Sequence, residues 1–192
     1  MARPREFDEN EILSRALQVF WARGYDGTSI EDLVQATGIG RASLYGAFVD
    51  KEHLFRRVVA YYTEQADALT DDLANAPSAR AALEALFRAR LSGMCPKKGP
   101  GGCFLLISGT SGTSADLLAD AMAKAARHTR KTIAEILERG VQTKELSRDA
   151  DVKALTDLLA VLLNGLSTSA RAGMSPKALE AAADEAIRLV FS

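Results

Sequence analysis

Apolar residues recur at helical spacing along nearly the whole chain, and short polar or glycine signals mark where each run begins and ends. Asp8 with Glu11 predicts a capped start for a first helix, in which Ile12, Ala16, Val19 and Phe20 share a side widened by Leu13, Leu17 and Trp21. Gly24 ends it, and Tyr25 is expected to fold back upon it. Thr28 with Glu31 predicts the cap of a second helix carrying Ile30, Leu33 and Val34, stopped at Gly38. Ile39 fills the bend before a third helix, which opens at Gly40-Arg41 and places Leu44 and Phe48 four apart. Asp50 caps a fourth, long helix through Leu54, Phe55, Val58, Val59 and Tyr62 that runs out at Asn75-Ala76-Pro77, and Ser78 caps a fifth. Residues 95–102 hold two prolines and three glycines and read as a loop. The apolar run 103–107 has no other strand to pair with, which predicts a short buried helix. Thr113 or Ser114 caps a seventh helix ending at Gly140; an eighth follows Asp151 and is apolar nearly all round; Ser175-Pro176 starts a ninth. The expected fold is therefore all-α, with about nine helices and no internal repeat.

With 192 residues, 47% of them hydrophobic, the chain can bury a full core. The expected division is residues 1–50 and 51–192, with the helix from 51 to about 75 as connector. No apolar run approaches the ~18 residues that span a bilayer, and the first residues are charged, so a cytoplasmic protein without membrane contact is expected. Two cysteines with no His or Asp at metal spacing imply neither a metal nor a cofactor. Net charge is −1, and residues 1–58 carry eight basic against nine acidic side chains. Bulk electrostatics thus give nucleic-acid binding no support. Placement has to carry it: several acids occupy first turns of helices, whereas Arg3, Arg5, Arg41 and Lys51 lie on an arm or at a helix start.

Residues 28–51 read as a helix-turn-helix, whose second member can enter a major groove. The stretch ALQVFWARGYDGTSIEDLVQATGIGRASLYGAFVDKEHLF carries G-Y-x-G-T-S, I-x-x-L-x-x-x-x-G-I, L-Y-x-x-F and K-E-x-L-F in order, and so resembles the TetR family of bacterial transcriptional regulators. Gly102-Cys103-Phe104-Leu105 is similar to a stretch in one branch of that family. The resemblance implies a homodimer on double-stranded DNA, paired through its last two long helices, with a small-molecule pocket beside the connector. It assigns Thr28 and Tyr45 to phosphate contacts, Lys51 to a backbone contact, and Arg41, Ala42 and Ser43 to base edges. Arg41 is the strongest candidate reader, because a guanidinium can bond guanine O6 and N7 together. Gly46-Ala47 departs from the family pattern, and Arg3 and Arg5 suit either a minor-groove arm or a plain tail.

In the C-terminal half, Tyr62, Phe87, Leu91, Met94, Phe104, Met122, His128 and Leu162 are candidates to line a pocket, or are ordinary core. Leu155, Leu159, Leu163, Leu179, Ala183 and Ala186 are the candidates for the dimer interface. Cys95 and Cys103 flank the Gly/Pro loop and form a candidate redox pair, with Lys97 and Lys98 placed to favour a Cys95 thiolate; alternatively Cys103 is a small buried hydrophobe. An enzyme using Cys103 with His128, or the loop as a phosphate cradle, finds no preceding strand and no G-K-[ST], so no catalysis is expected.

Overall fold

A computed structural model describes residues 8–68, 71–95, 100–109 and 112–192. Arg3, Arg5, Lys97 and Lys98 lie outside the described residues. The described residues form nine α-helices, one 3₁₀ helix and no strand, as the periodicity predicts. In order these are α1 (Glu9–Arg23), α2 (Ile30–Thr37), α3 (Arg41–Phe48), α4 (Lys51–Ala68), the 3₁₀ helix (Asp71–Asn75), α5 (Ala79–Met94), α6 (Phe104–Ser108), α7 (Ser114–Gln142), α8 (Val152–Arg171) and α9 (Pro176–Val190). Among the described residues no helix is long and apolar enough to cross a membrane.

Most starts are fixed by the side chains that the sequence nominates. Asp8, Asp50, Ser78, Asp151 and Ser175 each accept a first-turn backbone N–H, at 2.7 Å for Asp50 and His53 and 2.9 Å for Asp151 and Ala154. Glu11 turns to Arg15 instead of completing a box with Asp8. Two expectations change. Ser29, not Thr28, caps α2: its Oγ accepts the Asp32 N–H at 3.1 Å, and Asp32 Oδ2 accepts the Ser29 N–H at 2.9 Å. Thr28 is drawn inward, where its hydroxyl donates to the Gly24 carbonyl at 2.6 Å. At α7 the N-cap residue is Thr113, as expected, but its side chain makes no cap hydrogen bond. Ser114 is already helical and donates to the Ser108 carbonyl, while Asp26, from the turn before α2, accepts the Thr113 N–H at 3.0 Å. Gly140 also does not end α7. A Cβ there would lie 3.1 Å from Ala79 Cβ, so its hydrogen lets α5 and α7 approach.

Two apolar clusters divide the interior. The first joins Leu13, Phe20, Leu33, Leu44, Phe48, Phe55 and Val58 of α1 to α4 with Phe104 and Leu105 of α6 and Leu118 of α7. Tyr25 stacks on Phe20 at 6.2 Å, as its expected fold-back requires, and Phe20 meets Phe55 edge-on at 4.9 Å. The second cluster packs α5, the far half of α7, α8 and α9 through Leu83, Phe87, Leu137, Leu159, Leu163, Leu179 and Ile187. The described part of the connector is α-helical over Lys51–Ala68; beyond it the 3₁₀ helix Asp71–Asn75 carries Leu73 into the second cluster.

Candidate nucleic-acid interface

The helix-turn-helix is built from the inside outward. Leu33, Ile39, Leu44 and Phe48 are all buried, so α2 and α3 are held at a fixed angle by one small plug of side chains. Gly38 makes the bend at φ 74°, a left-handed conformation that costs glycine little, and its N–H closes on the Val34 carbonyl. Burying Leu44 and Phe48 turns the opposite side of α3 to solvent: Arg41, Ala42, Ser43, Tyr45, Gly46 and Ala47 are exposed. The N-cap of α3 is Gly40, with no side-chain cap, which leaves first-turn N–H groups available to an anionic oxygen.

Each candidate has a definite placement. Arg41 Nη1 lies 2.9 Å from Glu31 Oε1, and the Arg41 Cζ lies 6.0 Å from the Tyr45 ring centroid. Lys51, half-buried at the start of α4, sets its Nζ 4.3 Å from the centroid of Tyr25. Burial first, then the acids Glu52, Asp50 and Asp26, push the Tyr25 phenol above its ordinary range. Thr28 does not belong on this surface. It is 2% exposed with its hydroxyl on Gly24 and its N–H on the Tyr25 carbonyl, so the hydroxyl at the exposed start of α2 belongs to Ser29. Sequence reading missed Ser29, although S-x-x-D at 29–32 is as good a capping signal as T-x-x-E at 28–31. Glu31, expected to complete the cap with Thr28, faces Arg41 instead.

In the C-terminal half the pocket candidates do not converge on one cavity. Tyr62, Phe104 and Met122 belong to the first apolar cluster; Phe87, Leu91, Met94 and Leu162 belong to the second. His128 is exposed, its Nε2 3.8 Å from Asp67 Oδ1. A surface depression of about 450 Å³ lies instead between α1 and α2, beside Arg15, Gln18 and Gln35, and one of about 280 Å³ beside Glu138 and Arg148. Where the two halves meet, Tyr62 donates its hydroxyl to Cys103 Sγ at 3.4 Å and accepts the Phe104 N–H at 3.3 Å. Burial, reinforced by the facing Cys103 thiol, holds the Tyr62 phenol far above its ordinary range. Trp21 packs edge-on at 5.7 Å from Tyr62, and the buried Trp21 Nε1 and Arg90 Nε have no hydrogen-bond partner among the described residues.

Both cysteines are free and half-buried. Burial, and secondarily Glu180, push the Cys95 thiol up, the reverse of the thiolate expected beside Lys97 and Lys98. Of the dimer candidates, Leu159, Leu163, Leu179 and Ala183 are buried in the chain's own second cluster, and Leu155 and Ala186 are half-buried. A residue filling its own core is not available to a second copy. The large apolar side chains left exposed on α8 and α9 are Leu158, Val161 and Leu189. No group of three metal-ligating side chains occurs among the described residues.

Residues 12–58 match the family profile described as bacterial regulatory proteins, tetR family, and residues 79–186 match the tetracyclin repressor-like C-terminal domain. The HTH-type transcriptional repressor ComR of Escherichia coli (strain K12) is 33% identical over 194 residues, covering 97% of this chain and 90% of that protein. The chain belongs to the TetR family. Another member, the repressor BdcR of the same organism, is 32% identical over 198 residues, covering 98% of this chain and 93% of BdcR. Among solved structures, a cysteine mutant of the TetR family regulator CifR, complexed with 26 bp double-strand operator DNA, superposes with a TM-score of 0.84 at 33% identity. That match spans 97% of this chain and 98% of the other. This TetR-family chain is accordingly a DNA-binding transcriptional regulator, with the fold and relatives of regulators rather than of enzymes.

Proposed function

We propose that the protein is a homodimeric repressor that holds a palindromic operator through the α3 helices of its two subunits and releases it when a small molecule binds beside α4. The observation that carries this reading is the outward face of α3, where Arg41, Ala42, Ser43 and Tyr45 are exposed while Leu44 and Phe48 anchor the helix. Arg41 reads guanine, Ala42 and Ser43 border it, and Tyr45, Lys51 and the Ser29 hydroxyl fix the register on phosphates. ComR, a repressor, and CifR, solved in complex with operator DNA, support the same direction of action. Leu158 and Val161 on α8, with Leu189 on α9, supply the apolar patch for the partner subunit.

An effector around Trp21, Tyr62, Arg90 and Cys103 is supported by Trp21 Nε1 and Arg90 Nε, which have no hydrogen-bond partner among the described residues, because an unpaired buried donor costs about 1–3 kcal/mol. A ligand offering an acceptor there recovers that cost while touching α1, α4 and α5 at once. The thiol-sensing alternative through Cys95 and Cys103 is weaker, since the Cys95 thiol is pushed away from the reactive thiolate. Selecting bound duplexes from a random library, followed by mobility shift and sedimentation of the purified protein, tests the reading. It is expected to yield a palindrome bound by two chains. Equal affinity for selected and random duplexes, or binding by one chain, refutes it.

A further inference from the structure

The register of the α2 cap has a chemical result on the reading surface. Ser29 and Asp32 close the capping box on each other, so the helix start makes no use of Glu31. Glu31 projects from the first turn of α2 with 68% of its side chain exposed, and its Oε1 meets Arg41 Nη1 at 2.9 Å. Arg41 is itself 61% exposed at the start of α3, with the Tyr45 ring 6.0 Å from its guanidinium carbon. An ion pair between groups this exposed contributes little to folding. Its position, at the first residue of the helix that faces DNA, gives it another use.

We propose that Glu31 is a positioning residue that sets the sequence specificity of Arg41. The inference rests on Arg41 being a base reader. A free arginine side chain samples many rotamers, and ordering it on a base costs affinity. The Glu31 carboxylate draws the guanidinium to one place by charge, pairing with its Nη1 side, and leaves the rest of the fork for the O6 and N7 of guanine, a two-point contact that no other base edge matches. The same carboxylate is repelled by phosphates, which weakens binding to arbitrary sequence. Both effects raise the ratio of specific to non-specific binding. They also suit a helix-turn-helix segment whose residues 1–58 carry no net positive charge.

The test is selection from a random duplex library with the wild-type chain and its R41A, E31A and E31Q variants, with binding to a fixed random duplex measured across salt concentrations. R41A is expected to erase guanine preference at one base pair per half-site. E31A and E31Q are expected to reduce preference at that same base pair by roughly three- to tenfold, to leave other positions unchanged, and to raise affinity for random duplex by about threefold. E31Q keeps the size and acceptor of the side chain, so a folding defect confined to E31A does not obscure the result. Wild-type preference in both Glu31 variants, with R41A still altered, overturns the role of Glu31 and leaves Arg41 as reader. A change at a different base pair from that of R41A overturns positioning in favour of a direct contact. An R41A variant with wild-type preference overturns the reader assignment and this inference together.

Discussion

A Cβ placed on Gly46 would meet nothing within 4 Å beyond its chain neighbours and the backbone of its own helix, and the residue stands exposed on α3 one turn beyond Ala42. Packing within the chain therefore does not require glycine there. Gly46→Ala is expected to raise stability by about 1 kcal/mol through helix propensity alone, seen as a higher urea midpoint; an unmoved midpoint contradicts it. If the same variant loses operator affinity, position 46 is where DNA approaches the backbone. Asp32 offers a residue-level test of the α2 cap. The Ser29 N–H, then the Ser29 hydroxyl and Arg23, hold its carboxyl down to about 2. Because the folded value lies below the ordinary one near 4, the stabilisation is complete above about pH 4 and is lost as pH falls toward about 2. Asp32→Asn is expected to flatten that part of the stability profile in acid titrations followed by circular dichroism. An unchanged acid limb contradicts the Ser29–Asp32 box.

At the scale of elements, several helix starts are completed from far away in the sequence. Glu145, just after α7, accepts the N–H groups of Ala79 and Arg80 at 2.9 and 3.1 Å, supplementing the Ser78 cap of α5. Burial alone would raise the Glu145 carboxyl, but these two bonds and those from Thr143 and Ser78 outweigh it and lower it. Arg139 braces the same corner, donating to the carbonyls of Ala74 at 3.0 Å and Ser78 at 2.8 Å. Glu145→Ala is expected to destabilise the fold by about 1–2 kcal/mol and to lower the urea midpoint without changing operator preference, because α5 lies away from α3. Wild-type stability in that variant shows that Ser78 caps α5 unaided. The cap at Ser78 was legible from S-x-x spacing, and so was the helix at 103–107. The 66-residue reach from Glu145 to Ala79 was not, since no local pattern announces it.

Across the whole molecule, the head (α1 to α3) and the body (α5 to α9) share more than the connector α4. Phe104 of α6 stands 6.1 Å from Trp21 and 6.0 Å from Phe55, placing a residue of the C-terminal half inside the head's own cluster. Asp26 holds the Thr113 N–H ahead of α7, a second link independent of α4. These packed side chains and this hydrogen bond join α6 and α7 directly to the helices that hold the helix-turn-helix. The outer face of α8 carries the remaining prediction. Val161 is 67% exposed and Leu158 58%, so Val161→Asp is expected to leave helix content and thermal unfolding of the monomer intact. Sedimentation equilibrium is expected to show a single chain that no longer shifts a palindrome. A Val161→Asp protein that stays dimeric removes α8 from the interface.

What the sequence by itself determined is what short-range physics encodes: helix periodicity, most caps, the bend at Gly38-Ile39, and the outward residues of α3. A hydrogen bond to the second or third residue on, or an apolar pair four apart, is written within a few positions. Tertiary structure alone decided which of two adjacent hydroxyls caps α2, because Thr28 was needed inside against Gly24. It also decided which leucines of α8 face inward, since that helix is apolar on several sides and only its neighbours α5, α6, α7 and α9 select among them. It separated pocket candidates that looked alike in sequence, sending Phe104 to the head and Phe87 to the body. Glu31 shows the same division most plainly: the sequence places an acid in the first turn of α2, and only the folded turn brings that acid to Arg41.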